Sequence, residues 1–300
     1  MQLHQLTKAV IPPDSRTRRY RILSLGAGVQ SSTVYLMAAR GEIPPIDCAI
    51  FADTGDEPKA VYDYLAYLRT LGGATIHVTR APGPRLGDAV MSGTNSTGGR
   101  FASIPAYTAK VEGKNLGIMR RQCTREYKIA PVERFIRRSV LGIGPRRRVP
   151  KDVWVTQLIG ISLDEIGRAM RVHENQSHAW QGVEFPLLIA GMTRSDCLRW
   201  MEANGFRRPV RSACVFCPYK RDGEWLDLKR KDAAGWERAV EIDRALRVPG
   251  NVVNRKLDQQ LYLHDSCRPL ELVDFEARAK VQPNAIQTGF WGECHGMCGN

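Results

Sequence analysis

The chain has 300 residues, 43% of them hydrophobic, enough to bury a sizeable core in one large or two modest domains. No apolar run reaches membrane-span length and no apolar stretch opens the chain, which predicts a soluble, cytoplasmic protein with no membrane role. The net charge of +13 calls for an anionic partner, and eight cysteines in such a compartment read as reduced thiols, ligands or catalysts rather than disulfides.

Residues 1–19 are polar and Pro-containing and read as a loose tail. Tyr20–Leu25 reads as a short buried strand running into a glycine-rich loop, followed by a helix over Ser31–Arg40. A second strand, Asp47–Ala52, ends at Asp53-Thr54-Gly55. A helix over Lys59–Leu71 carries Val61, Leu65 and Leu68 on one face, and Thr75–Thr79 is a third strand. Strands alternating with helices predict an α/β fold, a doubly wound and mainly parallel sheet that binds ligands at the carboxyl ends of its strands. The segment from Gly83 to about Gly117 is rich in Gly, Ser, Thr and Pro and reads as a long active-site lid. A helix is expected from near Pro131, with Val132, Phe135, Ile136 and Val140 as its apolar stripe. A strand is expected over Asp152–Ile161, and a helix capped by Thr193 with Asp196 in capping-box position and Leu198 and Met201 inward. After Gly205 the pattern loosens into charged helices and loops. The expected organisation is therefore a tail (1–19), a nucleotide-binding domain (20–205) and a smaller cysteine-containing region (206–300).

The loop Ser24-Leu25-Gly26-Ala27-Gly28-Val29-Gln30-Ser31-Ser32 has the composition of a phosphate cradle. Gly26 and Gly28 permit close backbone approach, and Ser31, Ser32 and Thr33 open a helix whose unpaired N–H groups favour an anion. The lysine-bearing NTPase loop is absent. The dinucleotide fingerprint is matched at two of its three glycines, with Asp53 where a ribose-binding acid would stand, and a purely structural turn fits the same residues.

Downstream lie two cysteine sites, Cys123 in Arg121-Gln122-Cys123-Thr124-Arg125-Glu126-Tyr127-Lys128 and Cys214-Val215-Phe216-Cys217-Pro218. A Cys-x-x-Cys pair can place two sulfurs on one ion or cluster, with a third thiolate from elsewhere in the fold. Zinc in a closed four-ligand site is the competing occupant, and buried free cysteines are the third reading. The neighbouring Arg120, Arg121, Arg125 and Lys128 would favour the thiolate form. Cys267, in His264-Asp265-Ser266-Cys267-Arg268, and Cys294 and Cys298, near the end of the chain, are candidates for a fourth ligand. Cys48 and Cys197 read as core; His77 and His178 read as structural. Between Arg120 and Arg148 ten Lys and Arg face only Glu126 and Glu133, a balance of +8, and Arg199 to Arg221 carries +5. These stretches flank the cysteine sites, which predicts a polyanion-binding surface beside them.

Taken together, these motifs resemble the phosphoadenosine phosphosulfate reductase family of the ATP-pyrophosphatase (PP-loop, adenine nucleotide alpha-hydrolase-like) superfamily over about residues 20–220. That superfamily's loop is typically Ser-Gly-Gly-Lys-Asp-Ser; here Gly26-Ala27-Gly28-Val29-Gln30-Ser31 keeps the small residues and the final serine, with Val29 and Gln30 where the family has Lys and Asp. Asp53-Thr54-Gly55, Gly160-Ile161-Ser162 with Asp164, Glu165 and Arg168, and Phe185-Pro186-Leu187 are similar to its later motifs. Cys123-Thr124-x-x-x-Lys128 and Cys214-x-x-Cys217-Pro218 are similar to the branch containing DNA phosphorothioation proteins and cluster-bearing sulfonucleotide reductases.

The resemblance implies that Ser24, Gly26, Ala27, Gly28, Gln30, Ser31 and Ser32 surround ATP (with Mg2+), with Asp53, Thr54, Gly55 and Gly160 beside the nucleotide. Lys128 and Arg168 would offset phosphate charge, and Cys123, Cys214 and Cys217 would hold a [4Fe–4S] cluster, with Cys267 the candidate taken for its fourth ligand and Cys294 and Cys298 left open. The expected activity is adenylation of an acceptor, a nucleic acid such as tRNA or DNA, followed by sulfur transfer from a donor such as a cysteine desulfurase. The alternatives are a sulfonucleotide reductase, in which Cys294 attacks a sulfate sulfur and sulfite is released, and a nucleic-acid-binding protein with a structural metal and a degenerate nucleotide loop.

Overall fold

The computed structural model describes residues 6–93, 104–175, 178–248 and 259–281. Five short, apolar segments build one parallel sheet: β1 (Arg18–Leu25), β2 (Cys48–Ala52), β3 (Thr75–Thr79), β6 (Val153–Ile159) and β7 (Gln181–Glu184), in the order β3-β2-β1-β6-β7. Register is continuous across the centre, with Leu23 opposite Ala49 on one side and Leu158 on the other. β2 is buried along its whole length, as expected for a strand covered on both faces. The strand order reverses between β1 and β6, and the chain leaves β1 there through the glycine-rich loop.

Helices cover both faces. On one, α1 (Val29–Ala39), α2 (Lys59–Thr70) and α7 (Arg194–Ala203) pack Val34, Leu36, Leu65, Leu68, Cys197 and Met201 over Leu23, Ala49 and Leu158. The residues Val29 to Met37 are all buried, so α1 is a core helix rather than an amphipathic one. Thr193 and Asp196 cap α7 reciprocally, Thr193 Oγ1 accepting from the Asp196 N–H at 3.2 Å and Asp196 Oδ2 from the Thr193 N–H at 2.8 Å. The opposite face is covered by a helical run from Cys123 to Val140, whose centre is α4 (Ala130–Phe135) and whose ends, Arg125–Ile129 and Ile136–Val140, are π-helical. Its Val132 and Ile136 pack on Ile22, Cys48, Ile50 and Val155. This helix starts well before Pro131, the expected first turn. Its wide turns break the 3.6-residue repeat and bury the successive Tyr127 and Lys128.

The segment expected to be an unstructured lid contains α3 (Leu86–Ser92) and the strands β4 (Tyr107–Ala109) and β5 (Gly117–Ile118); part of it lies outside the described residues. The two strands join β8 (Gln260–Tyr262) in a small antiparallel sheet of order β5-β4-β8. α5 (Ile166–Glu174) and α6 (Pro186–Ile189) flank β7. The remainder is mostly helical: α8 (Asp222–Lys231), α9 (Ala233–Ala245) and α10 (Phe275–Val281). Their core is shared with α3, since Leu86, Ala89 and Val90 pack with Val215, Phe216, Trp225, Ala239 and Ile242.

The stretch read as a loose tail is partly anchored. Leu6 is buried against Phe185 and Leu188, the Val10 N–H donates to Glu184 Oε2 at 3.0 Å, and β1 itself begins at Arg18. Among the described residues no helix is long and apolar enough to cross a membrane.

Candidate functional site

At the carboxyl end of β1 the backbone turns at Ala27, whose φ of 55° puts an alanine in the left-handed region, while Gly28 is extended at the helix N-cap. The turn is tied internally: the Gly26 N–H donates to Ser31 Oγ at 3.1 Å. Ser24 is buried beside it, its Oγ accepting from Gln157 Nε2 at 2.6 Å. Gly160, at the end of β6, lies against the first turn of α1 so closely that a Cβ there would stand 2.6 Å from Ser31 N and 2.8 Å from Gln30 C. Its absent side chain is what lets β6 and the loop meet.

The loop residues do not all face one space. Ser24, Gly26, Ile50, Ala52, Lys128 and Ser212 line a small, partly open cavity at the ends of β1 and β2. Ser32 points instead towards the Tyr64 hydroxyl of α2. Gln30 is held in a polar cluster, donating to Ser162 Oγ (3.3 Å) and Glu165 Oε2 (3.0 Å) and accepting from Arg194 Nη1 (3.0 Å). Arg168 joins this cluster through Glu165 at 3.0 Å.

Asp53 ends β2 as expected, but its carboxylate is saturated. Oδ1 accepts from the Gly55 N–H (2.7 Å) and Tyr62 Oη (2.8 Å), and Oδ2 from the Arg80 guanidinium (2.8 Å to Nε). It braces the Asp53-Thr54-Gly55 turn, where Gly55 has φ +81° and a Cβ would strike Arg85 Cγ at 2.6 Å. Hydroxyls of a nucleotide would have to displace one of these donors.

Beyond this turn the cysteines assemble. Cys123, Cys214 and Cys217 line a second, partly open cavity together with Thr54, Arg121 and Lys128. Cys123 opens the helix over the sheet; Cys214 and Cys217 form a turn closed by the Cys217 N–H to Cys214 carbonyl bond at 2.9 Å. Thr54 Oγ1 and Cys214 Sγ lie 3.3 Å apart, joining the strand-end motif to the thiol pair. The Cys214 thiol is pushed well above its ordinary pKa, first by burial and then by the Glu57 carboxylate, against the opposing pull of Lys128. At Cys214 burial thus outweighs the pull of Lys128 and favours the protonated thiol. Binding a metal would have to release that proton.

Lys128 belongs to both cavities. Its Nζ lies 3.2 Å from Glu57 Oε1, with side-chain exposures of 6% and 0%, and the Ser212 hydroxyl donates to Glu57 Oε2 at 3.4 Å. Glu57 and Ser212 were not singled out in the sequence. The available signals were weak: Glu57 closes an acidic run after a strand end, and Ser212 lies two residues before Cys214.

Cys267 does not line the thiol cavity. It is buried with Ala109 and Tyr262, its Sγ 3.8 Å from the Thr108 carbonyl. His264 is engaged by Asp222 (2.8 Å) and Ser266 (2.7 Å), and His178 stacks on Trp180. Cys48 and Cys197 are core, as expected. Cys294 and Cys298 fall outside the described residues. Among the described residues no three His, Cys, Asp or Glu side chains are grouped so as to hold a metal ion.

The basic stretch of residues 120–148 is divided by the helix it contains. Arg121 and Lys128 lie at the cavity end, whereas Arg137, Arg138 and Arg146–Arg148 lie towards the opposite end of the sheet, where Val149 packs on Val153. Comparison of the sequence with protein-family models and with curated proteins finds no match, so the architecture and the paired cavities carry the functional argument.

Proposed function

We propose that this chain is an ATP pyrophosphatase of the PP-loop type that activates a nucleic-acid acceptor for sulfur transfer, in the manner of the phosphoadenosine phosphosulfate reductase family it resembles. The observation that carries this reading is Lys128. One buried ammonium lines both the cavity at the β1 and β2 ends and the cavity holding three cysteines, so nucleotide and sulfur chemistry would be served by adjoining spaces.

In this reading the triphosphate enters over Ser24 and Gly26, at the start of α1, where helix N–H groups favour anions. Lys128 offsets phosphate charge, and Glu57 keeps it aimed between the cavities. Mg2+ would be carried by the triphosphate and water rather than by a protein cage, since the strand-end acid Asp53 is fully engaged. An acceptor oxygen attacks the α-phosphorus and pyrophosphate leaves. The terminal sulfur of a persulfide donor, such as a cysteine desulfurase supplies, then attacks the activated centre and expels AMP. A thiol reductant cleaves the resulting disulfide, leaving sulfur on the product and releasing a mixed disulfide with the donor's thiol.

In this reading Cys123, Cys214 and Cys217 are ligands of an iron–sulfur cluster, with a single zinc as the competing occupant. A cluster spreads its thiolate ligands over separate irons, and the three cysteines line one cavity. A [4Fe–4S] group would supply soft, redox-capable Lewis acidity beside the nucleotide. Anaerobic purification with iron, sulfide and zinc analysis tests this. Cluster-level iron that falls sharply in each of Cys123→Ala, Cys214→Ala and Cys217→Ala is expected; stoichiometric zinc, or any one variant with full iron, refutes the three-ligand assignment.

A further inference from the structure

We propose that the amino-terminal end of β1 and β6, remote from both cavities, is a docking face for the phosphate backbone of a nucleic-acid duplex. A parallel sheet has two unlike ends, and the nucleotide and thiol cavities occupy the carboxyl one. The chain approaches β6 through residues 141–152, which places Arg146, Arg147, Arg148 and Lys151 at the other end, all exposed. Val149 anchors this segment by packing with Ile22, Cys48 and Val153, and Arg137 donates to the Arg147 carbonyl.

The neighbouring strand adds to the same face. Arg16 spends its guanidinium on the carbonyls of Val153 (3.2 Å) and Ala179 (2.9 Å), so its charge meets no acid there, and Arg19 donates to the Arg16 carbonyl at 2.7 Å. Arg18 pairs with Asp152 at 2.7 Å; Asp14 and Asp47 are the other nearby acids. Arg138, Arg146, Arg148 and Lys151 have no acidic partner among the described residues.

This charge has the wrong form for a small anion, which needs donors converging in a recess. It is a set of exposed basic side chains on neighbouring segments, most of them guanidinium forks, which suit phosphate oxygens. A lipid surface is the other broad polyanion, but none of the large exposed apolar side chains lies within residues 137–152 to insert into it. The helix from Cys123 to Val140 separates this face from the cysteine end by roughly 25 Å. A duplex held here would thus extend past several base pairs before reaching the cavities. The face does not depend on the nucleotide or cluster assignment.

The test is fluorescence anisotropy with a labelled DNA duplex and an RNA duplex of about 20 base pairs, titrated between about 50 and 200 mM salt. Reversal of Arg138, Arg146, Arg147 and Arg148 to Glu should weaken binding at least about tenfold and make the salt slope shallower by about three to four. Reversal of Arg208, Lys229, Arg230 and Lys231 should leave both nearly unchanged, and ATP affinity by calorimetry should not move in either variant. If circular dichroism shows the first variant misfolded, the four glutamine replacements serve in its place. Unchanged duplex binding, equal loss in the control variant, or loss confined to anionic phosphatidylserine vesicles overturns the proposal.

Discussion

Gly160→Ala is a single-methyl perturbation of the contact on which the loop geometry rests. The new Cβ would lie 2.6 Å from Ser31 N, 2.7 Å from Ser31 Cα and 2.8 Å from Gln30 C, all backbone atoms of a helix buried from Val29 to Met37. Ordinary carbon contacts need about 3.5 Å or more, so β6 and α1 must separate by most of an ångström. No flexible side chain can yield instead. Overpacking of this kind costs about 1–3 kcal/mol, and with roughly 2 °C of melting temperature per kcal/mol for a chain of this size, a fall of about 2–6 °C is expected. Because the displaced atoms belong to the first turn of α1, ATP affinity should fall in parallel, whereas Gly191→Ala, with open space around its Cβ, should cost only backbone strain and leave ATP affinity intact. Thermal unfolding followed by calorimetric titration reads both. A Gly160→Ala protein with unchanged melting temperature and unchanged ATP affinity would refute the close-packed contact.

Lys128→Met should destabilise the protein by about 3–5 kcal/mol, because it leaves the wholly buried Glu57 carboxylate without its cation; denaturant unfolding should show the double variant Glu57→Gln/Lys128→Met recovering much of that loss. Asp53→Asn should cost about 1–3 kcal/mol by setting an amide against the donors of Gly55, Tyr62 and Arg80, and a neutral stability change would contradict its role as a brace. Burial raises the Cys48 and Cys197 thiols from 9.0 to about 11, so folded thiols stay protonated where unfolded ones ionise. The stability they contribute is complete below pH 9 and should fall between pH 9 and 11, by up to about 1.4 kcal/mol per pH unit for each thiol; urea melts of the metal-free protein at pH 8 and 10.5 check the sign.

Much of the parallel sheet is legible in the sequence because its strands are short apolar runs ended by turn residues, as in Cys48–Ala52 before Asp53-Thr54-Gly55. The Thr193–Asp196 cap is legible for the same local reason. Elements that depend on distant partners are not. The helix Leu86–Ser92 is hidden in a Gly- and Pro-rich stretch, and its apolar residues find their core among side chains beyond residue 213. Lys128 is legible from its motif, but its burial is not: the π-helical turn at Arg125–Ile129 buries the adjacent Tyr127 and Lys128, which match no helical stripe. Charge counted along the chain misleads in a third way. It sums arginines that a helix running the length of the sheet then carries to opposite ends, so the +8 stretch becomes a cavity-side group and a separate amino-terminal face. At the cysteine site, spacing brings out Cys123, Cys214 and Cys217, which share a cavity, but cannot separate them from Cys267, which packs elsewhere.

In the proposed reading, adjoining cavities joined by Lys128 serve ATP-dependent activation of an acceptor. Pyrophosphate release by the anaerobically purified protein, assayed with ATP, Mg2+ and nucleic acid, tests it most directly. Pyrophosphate should depend on the nucleic acid and disappear in Lys128→Met at a temperature where that variant remains folded. Absence of pyrophosphate together with sulfite release from a sulfonucleotide would contradict it.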